Sequence, residues 1–321
     1  MIISIGGSVS TGSTPWIDII SAYNEVQVMD GELRLGESGL YDIISKIYTQ
    51  QTPTQEEFFN VKKTLIGFGE KLPITSRIAF SFLHRLPGAS PTIINKVNEY
   101  RKGRRSYDTR LPGFLSCTKH MLKELELLLN NTNNSDAHTR KIKTQQLMST
   151  YFSSLQKCIS SDKKVVFDQL FTPRLLFDMH YGCIMPETLS NVKIVVVRRD
   201  PRDQFIDLVL KRKKRYHTMK PCEAASHFVN EYLPRYDRMS AMLENCDPSK
   251  VTDVWFEDIF FDFETALSKL EKLADLKTRP SVFHCFDFSD AFAKVKMYEK
   301  GSFSKETDFI KDRMHSHLYK Y

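Results

Sequence analysis

Residues 2–14 read Ile-Ile-Ser-Ile-Gly-Gly-Ser-Val-Ser-Thr-Gly-Ser-Thr, and the order of these residues decides the fold class. The apolar run Ile2–Ile5 stops at Gly6-Gly7, as a short buried strand does at a turn. Residues 16–23 (WIDIISAY) then carry apolar side chains at helical spacing. Strand, glycine turn and helix thus follow one another within 25 residues. Gly7 through Thr14 form the G-x4-G-x-[ST] skeleton of a phosphate-binding loop, placed where backbone N–H groups and a helix N-terminus converge on an anion. The lysine that reaches the β- and γ-phosphates in nucleoside triphosphatases is absent, and Ser13 stands in its place. This opposes triphosphate hydrolysis and ordinary kinase chemistry, and leaves room for a nucleotide without a γ-phosphate.

Outward from the loop, Val26–Met29 reads as a second strand. Residues 40–155 are mostly helical text, interrupted at Pro53, Pro73, Pro87-Gly88, Pro91 and Pro112-Gly113. The polar stretch NNTNNSDAHT (130–139) reads as a loop. Lys164–Asp168, Val192–Val197 and Val251–Phe256 are dense in β-branched residues and read as further strands, the last followed by an amphipathic helix over 263–276. Strands alternating with helices predict an α/β fold: three layers, a central parallel sheet with helices on both faces. The expected organisation is a single domain over residues 1–321 with a large helical insertion at about 40–155.

A second anion-binding element lies at 195–203, VVVRRDPRD. It places Arg198, Arg199 and Arg202 at the carboxyl end of a buried strand, where open α/β sheets bind ligands. Arginine is a bidentate phosphate partner, and Pro201 suits the first turn of a helix expected over 203–211. The competing reading of the cluster is a salt-bridged helix start.

The charge balance agrees with an anionic ligand. Forty-six Lys and Arg against 39 Asp and Glu give a formal +7. No charged side chain precedes Asp18, so the glycine loop must hold its anion with backbone dipoles and hydroxyls. The basic run Lys211–Arg215 reads as a solvated helix face or a rim for an anionic ligand. No zinc-finger, RNP or helix-turn-helix pattern supports a specific nucleic-acid partner. The six cysteines form no CxxC pair, and the nine histidines form no HExxH; His315 and His317 are expected at the surface. No apolar run approaches the roughly 18–20 residues of a membrane span. The N-terminus lacks the basic region of a signal peptide, so the expected location is the cytoplasm.

The loop STGST (10–14), the run VVVRRDPRDQFIDL (195–208) and the segment VWFEDIFFDFETALSKLEKLADL (254–276) occur in the order of the corresponding elements of sulfotransferases that use 3′-phosphoadenosine 5′-phosphosulfate (PAPS), a family this sequence resembles over nearly its whole length. The resemblance implies a divergent, bacterial-type branch with a P-loop-like fold, PAPS as co-substrate and no metal. It implies that Thr11, Gly12, Ser13 and Thr14 bind the 5′-phosphosulfate and that Arg199 binds the 3′-phosphate. Glu32, expected just past the second strand, matches the catalytic glutamate of the heparan-type enzymes, which takes the proton of an acceptor hydroxyl. The implied acceptor is a hydroxyl, with carbohydrate as one candidate. Lys300-Gly301 resembles the family's loop over the 3′-phosphate.

Three positions depart from the family pattern. Ser10 replaces the basic residue that opens the loop, and Gln169 stands where a lysine often follows the third strand, with Arg174 nearby. Asp207 replaces the serine that binds the 3′-phosphate, and a carboxylate there repels phosphate unless a cation such as Arg198, Arg202 or Lys211 intervenes, or unless Asp207 binds the ribose or faces elsewhere. The alternatives are a nucleotide- or polyanion-binding protein with lost catalysis, and a small-molecule or nucleotide kinase.

Overall fold

The computed structural model describes residues 1–7, 10–32, 40–48, 51, 53–70, 113–130, 136–157, 163–168, 192–210, 216, 218–281, 283, 288–301 and 303–321. Five strands form one sheet: β1 (Ile2–Gly7), β2 (Val26–Glu32), β3 (Lys164–Asp168), β4 (Val192–Arg198) and β5 (Val251–Trp255). Their spatial order is β2-β3-β1-β4-β5, and every pairing is parallel. β1 is central. The chain leaves it toward β2 and β3 on one side and later returns to β4 and β5 on the other, which makes the β1–β4 boundary the topological switch point.

Alternation along the strands divides the core into two layers. Ile2, Ile194 and Val196 face a cluster shared with α2 (Leu40–Tyr48), α3 (Gln55–Glu70), α4 (Phe114–Asn130), α5 (Ala137–Lys157), α6 (Pro201–Leu210) and α7 (Pro221–Asn245). Ile3, Ile5, Val195 and Val197 face a second cluster that contains Trp16, Ile17, Leu267 and Leu270, with α1 (Ser13–Ile20) and α9 (Phe263–Ala274). Period-two side chains in a doubly covered sheet explain why β1 and β4 carry apolar residues on both faces. The short α8 (Asp258–Phe261) and α10 (Phe288–Phe292) and then α11 (Ser304–Arg313) complete the described helices.

The structure moves several sequence-derived boundaries. β2 runs through Asp30-Gly31 to Glu32 across a register shift between Val28 and Glu32, so Glu32 closes the strand instead of following it. α1 begins at Ser13, three residues earlier than expected, because Gly12 in the left-handed region supplies its N-cap. α4 continues to Asn130 and α5 starts at Ala137. The Asp136 carboxylate accepts from Thr139 N at 2.9 Å, which caps α5 in what reads as uniform polar loop. α6 starts at Pro201, the first helical position, where a missing N–H costs nothing.

Candidate functional site

Gly7 and Val197 are register partners, so the segments after β1 and β4 leave the sheet side by side. Two glycines shape the first of them. A Cβ on Gly7 would lie 2.0 Å from Thr11 Oγ1 and 2.4 Å from the carbonyl oxygen of Val197. Gly12 has φ +81°, and a Cβ there would fall 2.5 Å from Cδ2 of buried Phe256. Only glycine allows the loop to fold back on itself and α1 to start against Phe256. Ser10 is also left-handed, at φ 64°, so the turn carries a non-glycine residue in a costly conformation. Thr11 and Ser13 are buried, Ser10 and Gly12 half-buried, and Thr14 exposed. Trp16 fixes α1: its indole Nε1 donates to the carbonyl oxygen of Trp255 at 3.0 Å, and its ring stacks on Phe263.

Arg199 joins the second segment to the first. Its side chain is 3% exposed. Nη1 donates to the carbonyl oxygen of Ser10 at 2.9 Å, and Nη2 donates to the carbonyl oxygen of Lys294 at 2.7 Å and to Met297 Sδ at 3.6 Å. The guanidinium lies 4.9 Å from the Phe256 ring centroid. Asp207 Oδ2 stands 3.6 Å from Nη1. Arg199 Nε is buried and has no hydrogen-bond partner among the described residues.

The arginine element is salt-bridged throughout. Arg198 pairs with Asp253 at 3.3 Å and lies over the Trp255 ring. Arg202 grips the fully buried Asp200 with a fork, Nε to Oδ1 at 2.9 Å and Nη2 to Oδ2 at 2.7 Å, and sits 3.7 Å over the Tyr298 ring. Among the described residues Arg199 pairs with Asp207, while Arg198 and Arg202 pair with other carboxylates; Lys211 lies outside the described residues.

Two further carboxyls hold this hub together. Asp203 accepts from the backbone N–H of Lys296 at 2.8 Å and of Tyr298 at 3.2 Å, and burial pushes its carboxyl up to about 6, with the Arg199 charge opposing. Asp203 and Arg199 thus tie residues 294–298 to α6. Glu257, wholly buried after β5, accepts from Asp200 N at 3.0 Å through Oε1. Its Oε2 has no partner among the described residues. Burial drives this carboxyl up to about 8, against the Asp200 N–H hydrogen bond, so at neutral pH it carries a proton. Tyr236 completes the support: its hydroxyl donates between the Arg199 carbonyl oxygen at 2.8 Å and Gln204 Oε1 at 2.9 Å.

The other expected site residues divide clearly. Glu32 ends β2 in register with Asp168, whose strand neighbour Ile5 is only two residues short of the glycine turn, so its backbone belongs to the carboxyl end of the sheet. Lys300 and Gly301 are exposed beyond the 3₁₀ turn Met297–Glu299; Lys300 Nζ donates to Val295 O at 3.3 Å, and nothing lies closer than 3.6 Å to a Cβ on Gly301. Gln169, Arg174 and the Lys211–Arg215 run lie outside the described residues. His317 corrects the surface expectation: it is buried, with Nε2 2.8 Å from Asp237 Oδ1, while His315 is exposed. Among the described residues no group of three or more His, Cys, Asp or Glu is placed to hold a metal ion, and no helix is long and apolar enough to cross a membrane. Glu257, Asp203 and Tyr236 were not singled out from sequence. The only signal was the Glu-Asp pair directly after a β-rich run.

The profile of the family described as "Sulfotransferase family" matches residues 82–280, more than half of the chain. No curated protein matches the sequence. Among solved structures, the sulfotransferase domain of the Synechococcus PCC 7002 olefin synthase is 12% identical, with 100% of this chain and 95% of that one covered at a TM-score of 0.45. The sulfotransferase domain from the curacin biosynthetic pathway is 14% identical, with 99% and 98% covered at a TM-score of 0.45. Sulfotransferase STF9 from Mycobacterium avium is 10% identical, with 89% and 71% covered at a TM-score of 0.34.

Proposed function

The chain belongs to the sulfotransferase family, and from that premise we propose that it transfers the sulfuryl group of PAPS to an acceptor hydroxyl, with a carbohydrate as the candidate acceptor. The observation that carries this reading is the 2.9 Å hydrogen bond from Arg199 to the Ser10 carbonyl: the glycine loop and the arginine element form one site at the switch point of the sheet. The residues present fit the donor. The N-terminus of α1 offers backbone N–H groups without nearby carboxylates in the loop, and Arg199 Nε is a buried donor awaiting an acceptor.

In this proposal Thr11, Gly12, Ser13 and Thr14 hold the 5′-phosphosulfate, Arg199 reads the 3′-phosphate, and Lys300-Gly301 lies at its rim. Glu32 takes the acceptor proton as the acceptor oxygen bonds to sulfur and the sulfur–oxygen bond to the phosphate breaks. The electron pair leaves on the 3′,5′-bisphosphate, where α1 dipoles and the Ser10 and Gln169 positions meet the developing charge. We read the whole chain as one domain, with the helices at about 40–155 inserted between β2 and β3. We place it in the cytoplasm.

Thermal-shift titration tests the donor. Adenosine 3′,5′-bisphosphate should stabilise the protein much more than 5′-AMP at equal concentration; equal shifts would refute PAPS. Glu32→Gln should abolish transfer while leaving bisphosphate binding intact, and full activity in that variant would remove Glu32 as base. The Arg199–Asp207 pair favours a second reading, nucleotide binding without transfer; sulfated product from any hydroxyl acceptor excludes it.

A further inference from the structure

Arg199 is the most heavily committed side chain of the site. Both terminal nitrogens are occupied, by two backbone carbonyls, a thioether and the Asp207 carboxylate, and the whole group is 3% exposed. A guanidinium removed from water to this degree needs a compensating anion. Asp207 supplies it from α6, the helix that starts two residues after Arg199, at 3.6 Å and 7% side-chain exposure. The remaining donor, Arg199 Nε, is buried and unpartnered among the described residues. Such an arginine can be neutralised in two ways, by Asp207 of the following helix or by an incoming anion.

We propose that Asp207 is a resident anion that a nucleotide's 3′-phosphate must compete with for Arg199, so that Asp207 sets how tightly the nucleotide is held. The proposal rests on the donor reading above and concerns its specificity. A phosphate that reaches Arg199 Nε meets the Asp207 carboxylate across one guanidinium, and in a buried setting that like-charge contact opposes binding strongly. Asp207 therefore weakens the hold on both donor and bisphosphate product. It also keeps Arg199 in place when no nucleotide is bound, which preserves the link between Ser10 and residues 294–297. The cost is affinity, and the gain is release of the product.

The test compares the wild-type chain with Asp207→Ser and the isosteric Asp207→Asn, each titrated with adenosine 3′,5′-bisphosphate and with 5′-AMP by calorimetry and thermal shift. Without ligand both variants should melt below wild type, because Arg199 loses its counter-ion. Both should bind the bisphosphate about tenfold or more tightly than wild type, with 5′-AMP affinity unchanged within about twofold and the lost melting temperature recovered only by the bisphosphate. A purely structural ion pair lowers the melting temperature with no gain in bisphosphate affinity, and that result overturns the proposal. So does failure of both variants to fold even with bisphosphate present. If wild type prefers the bisphosphate to 5′-AMP but the affinity ratio is the same in all three proteins, this inference fails and the donor reading stands. If none of the three proteins binds the bisphosphate, the donor reading itself fails and takes this inference with it.

Discussion

Glu257→Gln isolates the proton that the buried hub holds at neutral pH. Burial raises the Glu257 carboxyl from its ordinary value of 4.5 to about 8. Between those values the folded chain carries one proton that the unfolded chain does not. Its stabilising contribution is complete below about 4.5 and disappears as pH climbs through about 8. One proton corresponds to a slope of about 1.4 kcal/mol per pH unit. Wild type should therefore lose about 2 kcal/mol between pH 6 and pH 8 from this group alone. Glutamine keeps an acceptor for Asp200 N and has nothing to ionise, so the variant lacks that loss. Urea unfolding of both proteins at pH 6, 7, 8 and 9 reads the difference. The gap in free energy should change in the variant's favour by about 1 kcal/mol per unit up to pH 8 and then level off. Other groups that titrate in this range cancel in the comparison. Parallel stability–pH curves would show that Glu257 is already ionised, and the account of the hub as protonated would be wrong. Asp203, raised to about 6, contributes in the same sense at lower pH: its contribution is present below about 4 and lost through about 6.

Gly12→Ala combines a left-handed φ with a Cβ 2.5 Å from Phe256, and should cost about 2–4 kcal/mol in denaturant unfolding together with loss of nucleotide binding; a wild-type midpoint would contradict the loop geometry. Gly301→Ala places its Cβ 3.6 Å from the Met297 carbonyl oxygen, the nearest non-adjacent atom among the described residues, and should change stability by less than about 0.5 kcal/mol, so a larger drop would show that a neighbour approaches there. Tyr236→Phe removes the hydroxyl beside the Arg199 carbonyl and Gln204, and should cost about 1–2 kcal/mol by the same measurement. A neutral result would mean that Tyr236 does not support the arginine turn.

The sheet was legible because its strands are locally encoded. The apolar runs at 2–5, 164–168, 192–197 and 251–256 cannot be solvated, and all became strands with ends shifted by two residues or fewer. The turn at Gly7 was legible because backbone and Thr11 leave no room for a Cβ. Glu32 was misplaced by one boundary because a register shift carries β2 through a glycine that reads as a stop. His317 was read as exposed because its partner Asp237 is 80 residues away, on a different helix. Glu257 and Asp203 escaped notice for the same reason: acidic residues are usually solvated, and only the folded neighbourhood shows these two without water. The family resemblance did mark Asp207 as anomalous, and left its neutralisation to Arg198, Arg202 or Lys211, or its side chain to the ribose or another direction. Among the described residues the 3.6 Å pair with Arg199, just before α6, takes that place.

The surplus of seven positive charges acquires a definite meaning from these pairings. The arginine element, densest in cations near the switch point, contributes almost none of it, since Arg198, Arg199 and Arg202 are matched by Asp253, Asp207 and Asp200. In the proposed site a nucleotide's anionic groups therefore meet, among the described residues, the dipoles and hydroxyls of the loop, and compete with Asp207 for the Arg199 guanidinium. Such a site gains less from charge than an open cluster of lysines, and it loses less when the anion leaves. In this proposal it also depends on rigidity: the fork of Arg202 on Asp200, the Glu257 carboxyl behind it and the Asp203 clamp on residues 296–298 brace the turn that carries Arg199. Loosening any of the three should weaken both occupants alike, whereas a change at Asp207 separates them.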